Sequence, residues 1–347
     1  MQIAEMQDKD EPAWDEYVRH SPHAMPQHLS GWRTIMQRTY GYTTHYLMAM
    51  DGGQIEGVLP LFEIRSWLVG QSLNSLPGGL CAESPAAATA LIERAKELVC
   101  ERGMARLQLR DSRQCWGHDL MSIHRHASRL FPLRDTVDAT WYSIDRKVRY
   151  HVRDARKHNL VATVTRSPEK MEPFYRTFSA FTQQMGTPVF SRAFLRNVME
   201  IFPDQFNLVC VYIDAKAIGA FFQLELGQTI FGMWGASLPA YHDLKPTHIA
   251  YWELMQFGVE NGFRYLDMGR SPLDSGPYHF KKHWGGEELP IYQLSYSTNG
   301  THAGAAEWSE RLESDPKLRT FVKVWRRLPL PLTQWIGPQL RRHVPFA

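Results

Sequence analysis

A lysine doublet enclosed by aromatic residues is the first candidate for chemistry in this sequence. Lys281 and Lys282 lie in GPYHFKKHWGG (276–286), after Phe280 and before Trp284. Neighbouring side chains of an extended backbone point to opposite faces, so we expect only one lysine to face a cleft, with the two aromatic residues anchoring the segment. An ammonium fixed in this way neutralises a phosphate or carboxylate, or stabilises the oxyanion of acyl transfer. The alternative is a surface doublet with one lysine in a salt bridge.

Asp267 and Arg270 form a second candidate pair, at the end of the predicted strand FRYLDMGRS. Strand ends that open onto a cleft commonly carry working side chains. Asp267 is therefore a candidate for deprotonating an attacking amine, and Arg270 for binding an anion. The alternative for Asp267 is an ion pair with Arg270 or a turn cap.

A basic segment supplies six cations between residues 146 and 157. If the segment is helical, Arg149, Arg153 and Lys157 recur every four residues and share one face. Arginine matches phosphate oxygens in a bidentate fashion, which favours a nucleotide diphosphate or a tRNA backbone as partner. The alternative is a solvated basic face paired with nearby acids.

Other catalytic and metal-binding motifs are missing from the sequence. Cys115, His118, His124 and His126 lie close together, but structural zinc ligands have tighter, paired spacing, so we predict no metal site. The sequence has no G-x-S-x-G, no P-loop and no G-x-G-x-x-G after a strand. The four cysteines have no paired pattern and are expected to be reduced.

The composition is that of a globular protein with room for two domains. The chain has 347 residues, of which 44% are hydrophobic and 22% charged, with a net charge of +3. No apolar run approaches the roughly 20 residues that span a bilayer. The N-terminus carries acids rather than the basic and apolar regions of a signal peptide, so we expect a cytoplasmic protein.

The elements that must position these residues follow one order in both halves: helices, a strand hairpin, a helix with a glycine stop, and a strand. The first hairpin turns at Asp51-Gly52-Gly53, and the second runs from residue 207 to residue 237. The repeated order predicts an α+β fold with two similar subdomains. The predicted boundaries are 1–140 and 161–300 for the subdomains, 141–160 for a basic connecting helix and 301–347 for a basic amphipathic tail.

The element order and two motifs resemble the FemAB family. KVRYHVRDARKHNL (147–160) resembles its basic segment, although Asn159 and Leu160 stand where a glycine is usual, and FRYLDMGRS followed by HFKKHWGG resembles its strand and F-K-K-x-(F/W)-G ending. The resemblance, which covers residues 29–296, implies two tandem GNAT-like (acyl-CoA N-acyltransferase-like) subdomains, each a mixed, mostly antiparallel sheet flanked by helices. Known members use aminoacyl-tRNA to lengthen peptidoglycan cross-bridges. This sequence lacks the coiled-coil insertion of some tRNA-dependent members.

The resemblance also ranks the candidate residues. By position in the motif, Lys281 comes before Lys282. The predicted catalytic residues are Lys281 and Asp267, and the predicted substrate-binding residues are Arg149, Arg153, Lys157, Arg270, Lys282 and Trp284.

The loop with which GNAT enzymes hold the pyrophosphate of coenzyme A is missing. It places glycine N–H groups at the start of the central helix. Residues 242–247 read HDLKPT, without glycine and with a proline that has no N–H, and the first half has CAESPAAATA at the equivalent place. We therefore expect no tightly bound cofactor and an aminoacyl-tRNA donor ahead of acyl-CoA.

The C-terminal tail resembles the branch of the family associated with exosortase/PEP-CTERM exopolysaccharide systems. It mixes aromatics with cations, at Trp325, Arg326, Arg327, Trp335, Arg341 and Arg342. Two outcomes are open: peripheral contact with the inner face of an anionic membrane, or packing on the protein's own domains.

Three functions remain open from the sequence. The first is amide formation between an aminoacyl or acyl donor and an amine of a phosphorylated, nucleotide- or lipid-linked envelope or exopolysaccharide precursor. The second is N-acyl transfer from acyl-CoA or an acyl carrier to an exopolysaccharide sugar. The third is a non-catalytic assembly factor at the membrane surface.

Overall fold

The computed structural model describes residues 1–66, 70–116, 120–299 and 316–343. The chain divides into two compact units. The first holds Met1–Arg125, Pro290–Phe321 and Gln339–Ala347, and the second holds His126–Leu289 and Val322–Pro338. No helix in the described residues is long and apolar enough to cross a membrane.

The first unit is built on a mixed sheet in which β4 and β6 run parallel and the other pairs antiparallel. Its strands are β1 (Gln2–Glu5), β2 (Thr44–Asp51), β3 (Gln54–Ser66), β4 (Gly70–Ser75), β5 (Cys81–Ala82), β6 (Arg106–Ser112) and, from Pro290 onward, β14 (Glu287–Ser297). Its helices include α1 (Glu11–His20), α2 (Gly31–Tyr40) and α3 (Pro85–Glu101).

Helix α3 covers this sheet because its apolar side chains recur at helical spacing. Leu91, Ala95 and Leu98 pack in one core cluster with Leu73 and Leu107 of the parallel strand pair. Burial of such residues contributes about 1.5–3 kcal/mol for each large side chain, so α3 is fixed by its packing.

The second unit repeats this plan, with β11 and β12 parallel and the other pairs antiparallel. Its strands are β7 (Met121–Pro132, which begins in the first unit), β8 (Val161–Thr165), β9 (Phe206–Ile213), β10 (Lys216–Leu226), β11 (Thr229–Ser237), β12 (Tyr265–Asp267) and β13 (Ser271–Pro272). Its helices include α4 (Val137–Ser143), α5 (Arg146–Lys157), α6 (Met171–Met185), α7 (Arg192–Ile201), α8 (Pro246–Glu260) and α9 (Gly276–Trp284).

Helix α8 is central to this unit. Its buried side chains Ile249 and Met255 share a core cluster with Val148 and Val152 of α5 and with Ile230 of β11. The basic helix α5 therefore packs on α8 through an apolar face and keeps its cations on the other faces. It ends at Lys157, and two residues later Asn159 has a backbone φ of 57°, the left-handed conformation in which asparagine is tolerated.

Two helices end the described chain: α10 (Pro316–Trp325) and α11 (Leu330–Arg341). The side chain of Val322 fills the space beside Gly186, and the backbone of Val189 lies against Gly337. The segment from Val322 to Pro338 is thus packed onto the second unit.

The predicted α+β fold with mixed, mostly antiparallel sheets is confirmed, as are both hairpins, both glycine-stopped helices and the helical basic segment. One prediction about backbone conformation is wrong. The segment with the lysine doublet is not extended but forms α9, because Ser275 caps the first turn by accepting a hydrogen bond from the Tyr278 N–H and Pro277 fits the start of a helix.

Candidate active site

A cavity of about 710 Å³ lies within the second unit, where β11 and β12 end and α8 and α9 begin. Its walls are mostly aromatic and aliphatic, with Phe221, Trp234, Leu254 and Phe280 among the lining residues. Its cations are His242, Lys245, His248, Arg270 and Lys281, where the histidines count only when protonated, and its acid is Asp267. A cavity of this size and character is typical of small-ligand sites.

The cavity opens where the parallel strands part. β11 and β12 pair over only three positions, ending with Phe231 opposite Asp267. Beyond them, a Cβ atom on Gly269 would lie 2.6 Å from the Gly232 carbonyl oxygen, and Gly269 has a φ of +76°. Glycine is therefore required at 269 both for conformation and for close backbone approach.

Lys281 is aimed at this opening from α9. Its Nζ donates hydrogen bonds to the carbonyl oxygens of Gly269 (2.7 Å) and Arg270 (3.1 Å). Burial lowers the pKa of Lys281 to about 8, an effect that the Asp267 carboxylate opposes and Arg270 reinforces. The ammonium is held at the cavity edge by two backbone acceptors and keeps a third N–H for another partner.

The two lysines of the doublet have different surroundings. Successive residues of a helix are rotated by about 100°, so they do not share a face. Lys281 is partly buried and lines the cavity, whereas Lys282 is exposed and lies outside the lining. The geometry therefore favours Lys281 over Lys282 as the lysine that serves the cavity.

Asp267 lies in the cavity wall but its carboxylate is engaged by the protein. The residue is 1% exposed, and its Oδ1 accepts hydrogen bonds from the Ser128 hydroxyl and from the Gly269 N–H. It thus caps the turn after β12, one of the alternatives that the sequence left open. Its charge acts on the neighbouring Lys281, so we assign it a positioning and electrostatic role rather than that of a base.

Trp284 is a core residue and lies outside the cavity lining. It is 1% exposed, and its ring lies 5.8 Å from that of Tyr251 and 6.3 Å from that of Phe280, between centroids. Phe280 itself lines the cavity. Both aromatics fix α9, as the sequence predicted, while Arg270 lines the cavity beside Lys281.

The basic face of α5 is a separate surface that does not line this cavity. The guanidinium of Arg149 lies over the ring of Tyr142, and that of Arg153 over the ring of Trp141, each at 5.4 Å from the centroid. Lys157 is exposed, and Tyr142 is 70% exposed. The three predicted residues therefore lie on an aromatic and cationic surface of the second unit, apart from the cavity.

A histidine pair connects α5 to the cavity and was missed from the sequence. The rings of His151 and His248 lie 4.8 Å apart between centroids, and His248 lines the cavity. Burial lowers the pKa of His248 to about 3, helped by His151 and Lys245. Burial also lowers the pKa of His151, helped by Lys245 and Lys147. The available signal was the histidine in the first turn of α8, at the cavity end of a central helix.

The start of α8 does not fit a backbone cradle for a pyrophosphate. Lys245 adopts a φ of 61°, Pro246 has no N–H, and the amides of His248 and Ile249 both donate to the Lys245 carbonyl oxygen. The amides at residues 246, 248 and 249, which would hold the phosphates of coenzyme A, are therefore missing or already used. The charges here come from side chains instead.

No group of metal ligands occurs among the described residues. His118, one of the four residues considered for a metal, lies outside the described ranges. In the tail, Trp325 is buried and Trp335 is 72% exposed. Arg326, Arg327 and Arg342 are exposed and Arg341 is buried.

Comparison with known proteins agrees with this architecture. Residues 143–282 match the family model described as an acetyltransferase (GNAT) domain. The fold is similar to the crystal structure of FemX, with 14% sequence identity and a TM-score of 0.65, over 86% of this chain and 98% of that chain. None of the curated proteins matches this chain in sequence.

Two other solved structures have the same fold. One is the C-terminal domain of a protein named as a lysylphosphatidylglycerol synthetase from Agrobacterium fabrum, with 12% identity and a TM-score of 0.57, over 86% of this chain and 93% of that chain. The other is a tandem GNAT protein from the clavulanic acid biosynthesis pathway, with 10% identity and a TM-score of 0.52, over 85% and 98%. The chain therefore has the tandem GNAT-like fold that FemX also has, and its residues 143–282 match an acetyltransferase (GNAT) domain.

Proposed function

We propose that this protein forms an amide bond by moving an aminoacyl or acyl group onto an amine of a phosphorylated cell-envelope or exopolysaccharide precursor. The observation that carries the proposal is the Lys281 ammonium, held by two carbonyl oxygens at the edge of an apolar-walled cavity. This arrangement supplies what acyl transfer from an activated ester needs, namely positioning and a charge for the oxyanion.

The proposed reaction uses the lysine as an oxyanion stabiliser. The amine lone pair forms a C–N bond to the acyl carbonyl carbon, and the carbonyl oxygen becomes negative beside the third N–H of Lys281. The ester C–O bond then breaks, and the proton of the amine ends on the departing hydroxyl oxygen. Asp267 holds Lys281 in its protonated form, because an adjacent carboxylate favours the ammonium.

The proposed donor is aminoacyl-tRNA, with no tightly bound cofactor. The start of α8 lacks the free amides that hold coenzyme A, whereas the exposed cations and aromatics of α4 and α5 suit a phosphodiester backbone with unstacked bases. The similarity to FemX supports this class of donor only through the shared fold.

The proposed acceptor is a nucleotide- or lipid-linked precursor, whose phosphates would meet Arg270 in the cavity or Arg149 and Arg153 on α5. The similarity in fold to the C-terminal domain of a protein named as a lysylphosphatidylglycerol synthetase supports a lipid-linked acceptor. The resemblance of the sequence to the FemAB family supports an envelope precursor. The exosortase/PEP-CTERM association of the tail belongs to this proposal and rests on sequence resemblance.

Binding measurements separate this donor from its competitor. Bulk aminoacylated tRNA and coenzyme A would each be titrated against the full chain, against Arg149→Ser/Arg153→Ser, and against a control, Arg196→Ser, on α7. We expect aminoacyl-tRNA to bind and the double variant to lose about tenfold or more in affinity. Tight binding of coenzyme A without binding of tRNA would contradict the proposal. If Arg153→Ser and Lys281→Met do not change the affinity for any UDP-linked amino sugar, the proposal of a phosphorylated acceptor is contradicted.

The second candidate is N-acyl transfer from acyl-CoA or an acyl carrier to an exopolysaccharide sugar. It is favoured by the match of residues 143–282 to an acetyltransferase domain. In that case the ammonium of Lys245, which lines the cavity, would have to replace the missing backbone amides. The same titration decides, because coenzyme A would bind and Lys245→Ser would weaken it.

Peripheral membrane contact is proposed for the outer face of the tail. Trp335 and Val324 are exposed, as are the cations Lys323, Arg326 and Arg327 of the same tail, which suits an anionic interface. Trp335→Ser should reduce binding to vesicles that contain phosphatidylglycerol by about tenfold, with Val161→Ser of β8 as control. Equal binding of all three proteins would contradict membrane contact, and with it the third reading, a surface assembly factor.

A further inference from the structure

The side-chain oxygen of Gln223 has no hydrogen-bond partner among the described residues. The residue lies in β10, is 3% exposed and lines the cavity. Its Oε1 is buried, and its carboxamide bonds to none of the described residues. Buried polar groups in folded proteins are nearly always paired, so an amide oxygen in a cavity wall that has no protein partner is available to a ligand.

The surroundings define what this amide would meet. Gln223 lies opposite Gly232 across a bulge in the β10–β11 ladder, so β11 offers no side chain at that position. On the other side β9 places Asn207 opposite Gln223, and the Oδ1 of Asn207 is likewise buried without a hydrogen bond. Phe221, Trp234 and Leu254 line the same cavity. The amide is thus a neutral hydrogen-bonding group set among apolar walls.

The charges of the cavity exclude one class of acyl group. Lys245, Arg270 and Lys281 all line it, against the single acid Asp267. That carboxylate already accepts hydrogen bonds from Ser128 and Gly269. A cationic acyl side chain would meet like charges without a free carboxylate, which costs affinity.

We infer that Gln223 determines acyl specificity, and that the cavity takes a neutral, mainly apolar acyl group ending in a hydroxyl or carboxamide that hydrogen-bonds to the Gln223 amide. The inference rests on the proposed function only in treating the cavity as the acyl site. A site built to hydrogen-bond a polar group discriminates strongly against analogues that lack it, because the buried amide is then left unpaired.

Carrier-free acyl amides test this without any donor or transfer activity. The probes are 3-(4-hydroxyphenyl)propionamide, 3-phenylpropionamide and 6-aminohexanamide, titrated against the full chain by ligand-observed NMR. We expect the hydroxyphenyl amide to bind about tenfold more tightly than the phenyl amide, and the cationic amide to bind most weakly. Gln223→Leu should reverse the first preference, and Gln223→Glu should improve binding of the cationic amide about tenfold.

Two controls keep the outcome clear. Gln205→Leu makes the same replacement outside the cavity and should leave the order unchanged. Thermal unfolding of Gln223→Leu should show a midpoint equal to or above that of the parent, because the amide has no partner to lose. Equal binding of the two aromatic amides, an unchanged order in Gln223→Leu, or no binding of any amide would overturn the inference. Failure of tRNA or coenzyme A to bind would instead contradict the proposed donor alone.

Discussion

Helices α3 and α8 hold the same place in the element order of the two units, but they begin differently. At the start of α3 the Ser84 hydroxyl accepts a hydrogen bond from the Ala87 N–H, and the first turn continues with alanines. At the start of α8 Lys245 has a left-handed backbone and no side-chain cap, and Lys245, Thr247 and His248 line the cavity.

The difference shows that the same element can serve stability in one unit and a candidate site in the other. The α3 terminus satisfies its own amides, as a structural helix end does. The α8 terminus has no side-chain cap, and titratable side chains lie around it. They include His248 and, from α5, His151, and burial lowers the pKa of both rings. Substitutions at the start of α8 should therefore change activity, while matched ones at the start of α3 should change only stability.

The largest effect is expected from the lysine doublet. Lys281→Met should lower kcat by about 100-fold or more, because the oxyanion loses its charged donor, whereas Lys282→Met should change kcat less than about twofold. The measurement is single-turnover amide formation with saturating donor. Equal losses in the two variants would remove the special role of Lys281.

The pH dependence of kcat should also report Lys281. Its pKa is lowered to about 8, so the ammonium needed for catalysis is present below pH 8 and lost above it. Activity limited by this group should fall as pH rises through about 8, and Lys281→Arg should retain its residual activity to higher pH. A profile that falls identically in the parent and in Lys281→Arg would assign the loss to another group.

Glycine substitutions sharpen the comparison between a functional and a structural turn. Gly269→Ala should lower the free energy of unfolding by about 2–4 kcal/mol, because it combines a positive φ with a Cβ contact to the Gly232 carbonyl. Gly262→Ala, also at positive φ but with open space around its Cβ, should cost about 1–2 kcal/mol. Urea unfolding measures both, and equal costs would mean that the close approach at the cavity mouth relaxes freely.

The smallest effects are expected at the two helix starts. Ser84→Ala should cost about 1 kcal/mol of stability and leave kcat unchanged, because only a cap is lost. His248→Gln should leave stability near pH 7.5 almost unchanged but raise KM for the donor. A change in kcat from Ser84→Ala would contradict the division between the two helices.

The sign of the acid response follows from the histidine. The pKa of His248 falls from 6.5 to about 3 on folding. Between these two pH values the ring therefore binds a proton in the unfolded chain but not in the folded one. Stability should therefore fall between pH 6.5 and 3, and His248→Gln should make this fall shallower. Urea midpoints at pH 5 and 7.5 measure it, and parallel curves would show that burial does not hold the ring neutral.

The repeated element order was predictable from the sequence because hairpin turns and helical periodicity are local signals. Asp51-Gly52-Gly53 and the glycine at the end of α3 needed no tertiary information. Lys281 was also found, from its motif. The prediction of an extended backbone for this segment was wrong, because its mixed aromatic and basic residues suit a strand as well as a helix. The Ser275 cap is the local signal that favours the helix.

The remaining site residues depend on tertiary contacts that spacing does not reveal. Gln223 is an ordinary strand residue until the bulge and Gly232 leave it facing a cavity. His151 and His248 are 97 positions apart in the numbering and meet only because α5 packs on α8. Asp267 was a candidate base from its position at a strand end, but only the structure shows Ser128 and the Gly269 amide on its carboxylate.

One measurement tests directly whether the second unit binds the acyl group with its carbonyl oxygen at Lys281. An unreactive donor analogue, an amide-linked aminoacyl-adenosine with a tyrosyl group, would be soaked into crystals of the full chain. We expect electron density in the cavity, with the acyl carbonyl oxygen about 3 Å from Lys281 Nζ. Density for the acyl group elsewhere, with Lys281 still bonded only to the carbonyls of Gly269 and Arg270, would contradict it.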